Sequence, residues 1–253
     1  MTKQTLVALT LGVATLSAGV ASAAPITWNL ASSSCTGSGS TDGNSRTCSG
    51  GSGAPSVTAT AWSNTANGAN VNIENALLQV FSGGLGVRNR DRGTGLGDTG
   101  ENSTPQHAID NENRYDSILL SFNGLVALNQ VRLGYWSGDS DITVLAYLGA
   151  GTPTLAGSSY GALTAANWSL IGHYGNLNYT AAINAGNLAS QYWLVSTYNP
   201  TVGQAANFST GDDHVKLYSV SGESQPVPEP ASLALIGSGL FFGAAVRRRA
   251  RRS

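Results

Sequence analysis

Three short loops of this 253-residue chain carry seven of its fourteen carboxylates, side chains that could bind a metal ion. The segments IDNENRYD, SGDSDI and GDDH each place at least two carboxylates close together. Calcium takes about six to eight oxygen ligands, often carboxylates and loop carbonyls, so these loops could bind it. The candidate ligands are Asp110, Glu112, Asp116, Asp139 and Asp141.

The same acidic loops have a simpler interpretation that leaves no firm metal site. Asp and Asn favour turns because their side chains bond nearby backbone groups, and Asp110 or Asp116 could pair with Arg114. The spacing in DNENRYD does not fit an EF-hand, and it lacks the glycine that this loop requires. Calcium is therefore one of two interpretations of these acids.

Aromatic residues suggest a second kind of site, for carbohydrate. The chain has five Trp and nine Tyr, and Tyr135-Trp136 followed by Asp139 is the best local candidate for a sugar-stacking surface. Core aromatic residues also pack β-sandwiches routinely, so each Trp has a structural alternative. An extracellular glycan-binding module, assisted by calcium, is the alternative function that this pattern indicates.

The sequence gives little support to a catalytic site. The glycine-rich stretch GGLGVRNRDRGTGLGDTG lacks the Lys-Ser/Thr pair of a phosphate-binding loop. His107, His173 and His214 are far apart in the sequence, which gives no support to a zinc site. We therefore predict that the protein is not an enzyme.

The first 23 residues have the plan of a secretory signal peptide. Lys3 precedes an apolar run from Leu6 to Val20, and Ala21-Ser22-Ala23 supplies the small residues that signal peptidase requires. Export places the chain in an oxidising compartment, where its two cysteines, Cys35 and Cys48, are expected to form a disulfide.

The body of the chain, residues 24–225, is acidic and rich in strand-like segments. Its seven basic and thirteen acidic side chains leave a net charge of −6, which argues against nucleic-acid binding. Short alternating runs such as SVTATAWS, DSILLSF and DITVLAYL are bounded by turn residues. Alternation in DSILLSF predicts that Ile118, Leu120 and Phe122 share a face, and alternation in DITVLAYL predicts the same of Ile142, Val144, Ala146 and Leu148. This pattern predicts an all-β, antiparallel β-sandwich, with a jelly roll as one form of it.

The last 28 residues, 226–253, form three consecutive parts. Prolines in QPVPEP favour an extended segment that a protease can bind, and this segment contains Pro228-Glu229-Pro230. The apolar run 231–246 would span about 24 Å as a helix, which is just short of a bilayer core. A block of arginines follows, which we expect to stay on the cytoplasmic side of the membrane and to act as a basic stop. It consists of Arg247, Arg248, Arg249, Arg251 and Arg252.

This tail resembles a PEP-CTERM sorting signal, which the membrane enzyme exosortase recognises. The resemblance implies exosortase as a partner, transient insertion in the inner membrane and processing near the motif. It further implies delivery to the cell surface or extracellular matrix, with exopolysaccharide as a further partner.

The body resembles a family of exosortase-dependent surface proteins from about Pro25 to Gly222. Segments that carry this resemblance include HAIDNENRYDSILLSF and VRLGYWSGDSDITVLAYLG. The family has no established activity, so the resemblance implies a destination and no chemistry.

Overall fold

The computed structural model describes residues 25–37, 39–66, 71–92, 100–105 and 107–225. The predicted signal peptide, residues 1–23, and the predicted sorting signal, residues 226–253, lie outside the described residues. Within the described ranges, no helix is long and apolar enough to cross a membrane.

The described residues form thirteen strands and three short 3-10 turns. The strands are β1 (Ile26–Asn29), β2 (Ser45–Ser49), β3 (Ser56–Ala66), β4 (Asn72–Asn75), β5 (Leu77–Phe81), β6 (Gly84–Arg88), β7 (Ile109–Asp110), β8 (Asp116–Gly138), β9 (Ile142–Tyr147), β10 (Trp168–Tyr174), β11 (Thr180–Ala182), β12 (Ser190–Thr197) and β13 (Asp213–Ser224). The 3-10 turns are Tyr160–Ala162, Thr164–Ala166 and Pro200–Val202. Every pairing between these strands is antiparallel, which confirms the all-β antiparallel prediction.

The 23-residue strand β8 organises the sheet. Its first part lies between β3 and β12, and its second part pairs with β13 and β11. The main strand order is β10-β9-β12-β8-β13-β6-β5. β8 changes partners along its length, and Ile118 of its first part and Leu133 of its second part belong to one apolar cluster, so the two parts of the sheet enclose a common core. The jelly-roll arrangement stays a prediction.

The common core is built from alternating residues of strands on both sides of β8. Ile118, Leu120 and Phe122 were predicted to share a face, and all three pack in this core. Ile142, Val144 and Ala146 of β9 do so as well, as predicted. Leu148 was predicted to join them, but it is 53% exposed because β9 ends at Tyr147.

A second apolar cluster covers the opposite face of β8, β9 and β12. Leu119, Leu145 and Leu194 pack there against Tyr160 and Leu163 of the connection between β9 and β10. The Ser117 hydroxyl and the Tyr160 hydroxyl are hydrogen-bonded at 2.7 Å. These strands are therefore buried on both faces, which explains their nearly continuous apolar sequences.

A strand, β2, forms in the Ser/Gly-rich segment after β1, whose composition predicts a loose, disulfide-tied loop. This strand pairs with β3, and the predicted Cys35–Cys48 disulfide is present. The Arg46 guanidinium donates hydrogen bonds to the carbonyls of Leu30 and Ser32, at 2.9 and 2.5 Å. These long-range contacts compensate for the low strand propensity of the segment.

Candidate functional site

Two groups of carboxylates lie at the ends of β8. One group includes Asp116, the first residue of β8, and the other includes Asp139, which directly follows its last residue. The rim carboxylates are Asp139, Asp141 and Asp213. The interior carboxylates are Glu101, Asp110 and Asp116. In each group, one oxygen from every residue lies within 4.8 Å of the others.

Three different strands position the rim carboxylates. Asp139 follows β8, Asp141 precedes β9 and Asp213 begins β13. The backbone N–H of Asp139 donates to the carbonyl of Asp212 at 2.7 Å. The N–H of Asp141 donates to Oδ1 of Asp213 at 2.7 Å. The group thus joins residues that are more than 70 positions apart in the sequence.

Amide groups hold the rim carboxylates in place. Asn111 Nδ2 donates to Oδ2 of Asp213 at 2.6 Å, while its Oδ1 accepts from the backbone N–H of Gly211 at 2.9 Å. The backbone N–H of Asn176 donates to Oδ1 of Asp141 at 2.6 Å. These hydrogen bonds orient the two buried carboxylates and partly offset their loss of solvation.

Charge repulsion and burial disfavour full ionisation of the rim carboxylates. Burial raises the pKa of Asp213 to about 8, and the negative charges of Asp141 and Asp139 add to the rise. Burial also raises the pKa of Asp141. Among the described residues, no Lys, Arg or His forms a salt bridge with these three side chains. A bound cation would relieve this repulsion.

The interior carboxylates are completely buried. Glu101, Asp110 and Asp116 each have 0% exposed surface. The Glu101 carboxylate accepts hydrogen bonds from the backbone N–H and the Nδ2 group of Asn89, at 2.8 and 3.1 Å. Asp110 Oδ1 accepts from the backbone N–H of Glu112 at 3.0 Å. Such burial has a high desolvation cost unless charges are compensated.

The structure separates the acids that the sequence indicated as candidate ligands. Asp110 and Asp116 belong to the interior group, and Asp139 and Asp141 belong to the rim group. Glu112 belongs to neither group, because its carboxylate lies 3.3 Å from His214 Nε2.

Sequence reasoning missed Glu101 and did not group Asp213 with Asp139 and Asp141. No local spacing signals either association, because the residues meet only through strand pairing.

Arg114, the arginine that the sequence suggested as a partner of Asp110 or Asp116, forms a buried ion pair with Asp91, at 2.5 Å.

The adjacent aromatic residues Tyr135 and Trp136 do not share a face. Trp136 is 40% exposed. The ring of Tyr135 instead lies 4.2 Å from Lys216 Nζ, which also contacts the ring of Phe81. Successive residues of a strand point to opposite sides, so a continuous Tyr135-Trp136 surface does not form. Of these two rings, that of Trp136 is the one available for stacking on a ligand.

The three histidines, which are far apart in the sequence, have different polar contacts. His107 Nε2 lies 3.0 Å from Lys216 Nζ, and His173 Nδ1 lies 2.9 Å from the Thr143 hydroxyl. His214 pairs with Glu112. Each ring thus has a different polar neighbour.

Comparison with known proteins identifies the tail. Residues 226–249 match the model of the PEP-CTERM protein-sorting motif. This range includes Pro228-Glu229-Pro230, the apolar run and Arg247–Arg249, whereas Arg251 and Arg252 lie beyond it. No curated protein and no solved structure matches the chain. The motif indicates an exported, membrane-anchored precursor that is sorted to the cell surface. The chain is therefore a carrier of the PEP-CTERM protein-sorting motif.

Proposed function

We propose that this chain is a surface or extracellular-matrix protein that exosortase processes and that has no catalytic activity of its own. The PEP-CTERM match at residues 226–249 is the observation that carries this proposal. In the proposed route, the signal peptide directs export and residues 231–246 hold the precursor in the inner membrane. The body is then delivered outside, where it contributes to the matrix.

The order of the tail's parts supports this route on physical grounds. An apolar helix of about 24 Å can enter a bilayer that thins locally, and the arginines after it can extend to the interface. Pro228-Glu229-Pro230 would then lie just outside the membrane. A proline-rich segment lacks internal hydrogen bonds, so its backbone stays accessible to a membrane-bound protease.

The described body has properties that suit an extracellular cargo. Its disulfide is stable in oxidising surroundings, and its net charge of −6 favours solubility. Sheet surfaces on both sides of the first part of β8 are covered by apolar contacts. We infer that this body performs its role as a folded unit.

Replacing Pro228-Glu229-Pro230 with three alanines is expected to abolish sorting. The variant should remain in the membrane fraction with its arginine block attached, because exosortase would no longer recognise the segment. Cell fractionation and mass spectrometry of the C-terminus would measure both effects. Pro226→Ala is the matched control, since it removes a nearby proline outside the tripeptide. Surface delivery of the triple-alanine variant at the level of the control would refute the proposal.

Glycan binding is the second candidate function, and the exposed ring of Trp136 favours it. Asp139, a rim carboxylate, follows Trp136 by three residues, so a cation and a stacked sugar could lie near each other. We expect Trp136→Ala to reduce retention on the host's exopolysaccharide at least tenfold, and chelation of calcium to weaken retention by the unmodified protein. Equal retention of the variant and the unmodified protein would eliminate this candidate.

A further inference from the structure

Two buried hydroxyl groups near the interior carboxylates have no hydrogen-bond partner among the described residues. They belong to Ser63 of β3 and Thr197 of β12, and both residues have 0% exposed surface. Buried polar groups are almost always hydrogen-bonded, because a hydroxyl that is buried without a hydrogen-bond partner loses its solvation by water and gains no interaction in exchange. Two such groups at one place therefore call for an explanation.

Strand register places both hydroxyls beside Asp116. Ser63 pairs directly with Asp116 in the antiparallel ladder of β3 and β8. On the other side of β8, Ser196 pairs with Ser117, so Thr197 is opposite Asp116 in the continued register.

These three residues share the inner face of the sheet. Moving two residues along each strand leads to Ala61, Ile118 and Val195, which pack in the common core. Directly opposed side chains on one face have Cβ atoms about 4.5–5.5 Å apart. Ser63 and Thr197 thus flank the Asp116 carboxylate on its two sides.

The remaining carboxylates approach from other segments. Asp110 lies on β7, which pairs with β13, and Glu101 lies in the segment before β7. Their oxygens and one oxygen of Asp116 lie within 4.8 Å of one another. The assembled ligand set contains three carboxylates and two hydroxyls, and all five residues are fully buried.

We propose that Glu101, Asp110 and Asp116 bind one divalent cation of the calcium class, with the Ser63 and Thr197 hydroxyls turned toward it. An all-oxygen ligand set selects hard cations over zinc or copper. Two calcium–oxygen bonds of about 2.3–2.6 Å span up to about 5 Å, which matches the oxygen separations. The positive charge of the ion would favour the ionised form of all three carboxylates.

This site joins elements from both parts of the folded sheet. Asp116 and the two hydroxyls belong to the β3–β8–β12 part, whereas Asp110 belongs to β7, beside β13. A cation there would connect the two parts across the core. Because its ligands come from positions 63, 101, 110, 116 and 197, the site cannot exist in the unfolded chain, so binding and folding are coupled.

The test uses the full chain in mild detergent, first stripped with EGTA and then titrated with calcium chloride. Calorimetry should detect binding, and the unfolding temperature should rise by roughly 5–10 °C at calcium about one hundred-fold above its Kd. Magnesium at the same concentration should produce a smaller rise. Absence of both calcium binding and a thermal shift would overturn the proposal.

Variants assign the binding to the interior group. Asp116→Asn should lose the calcium-dependent shift, while Glu223→Gln should retain it, since this carboxylate lies outside both the interior group and the rim group. The double variant Ser63→Ala/Thr197→Ala keeps all three carboxylates and is expected to weaken calcium binding at least tenfold. It provides the decisive measurement if Asp116→Asn does not fold. A calcium-dependent shift that Asp116→Asn retains, or unchanged affinity in the double variant, would refute the interior assignment.

Discussion

Replacing Trp193 with alanine is expected to lower the free energy of unfolding by about 3–5 kcal/mol. Trp193 is fully buried in the common core. Its indole N–H lies 3.2 Å from the carbonyl of Val126 and 3.1 Å from that of Ser190, beside the place where β8 changes partners. The substitution removes a large apolar side chain and the donor to both carbonyls, and it leaves a cavity that the paired strands cannot fill.

Trp136→Ala is the matched control, because it makes the same chemical change at a side chain that is 40% exposed. We expect it to change the free energy of unfolding by less than about 1 kcal/mol. Urea denaturation followed by circular dichroism would measure both variants. Equal destabilisation by the two substitutions would contradict the assignment of Trp193 to the centre of the core.

Stability in the absence of divalent cations is expected to fall as the pH rises from about 4 to 8, with Asp213 as a main cause. Burial raises the pKa of Asp213 from 3.8 in the unfolded chain to about 8 in the folded state. Between these values the folded state holds a proton that the unfolded state releases, so a higher pH favours unfolding. The slope from one such group is on the order of 1 kcal/mol per pH unit.

The contribution of Asp213 can be isolated by comparing variants between pH 6.5 and 8 in EGTA. Burial lowers the pKa values of His107 and His173, so the contribution of these rings has the opposite sign to that of Asp213: it makes stability rise with pH, and it fades above the unfolded value of 6.5. Asp213→Asn should have a much weaker dependence of unfolding free energy on pH than the unmodified protein. The exposed neighbour Asp212 provides the control, and Asp212→Asn should keep the original slope. An unchanged slope in Asp213→Asn would show that another group causes the effect.

Features that depend on adjacent residues were predictable from the sequence. The PEP-CTERM motif is contiguous, and the Cys35–Cys48 pairing requires only two cysteines and an oxidising compartment. Alternation in DSILLSF assigned Ile118, Leu120 and Phe122 to one face because side chains in a strand alternate with a period of two. The all-β class followed from many such segments.

Long-range pairing decided the rest. Segment Ser32–Gly53 has weak strand propensity, yet β2 forms within it because β3, the disulfide and Arg46 hold it in place. The connection between β9 and β10 covers an outer face that no alternation pattern reveals.

The sequence by itself therefore determined the class of fold, the disulfide and the sorting motif, since each depends on local pattern or composition. Only the tertiary structure brought Asp213 to Asp141, and Ser63 and Thr197 to Asp116. The physical reason is that these groups meet through the register of distant strands, and register is set by how the whole sheet buries its apolar faces.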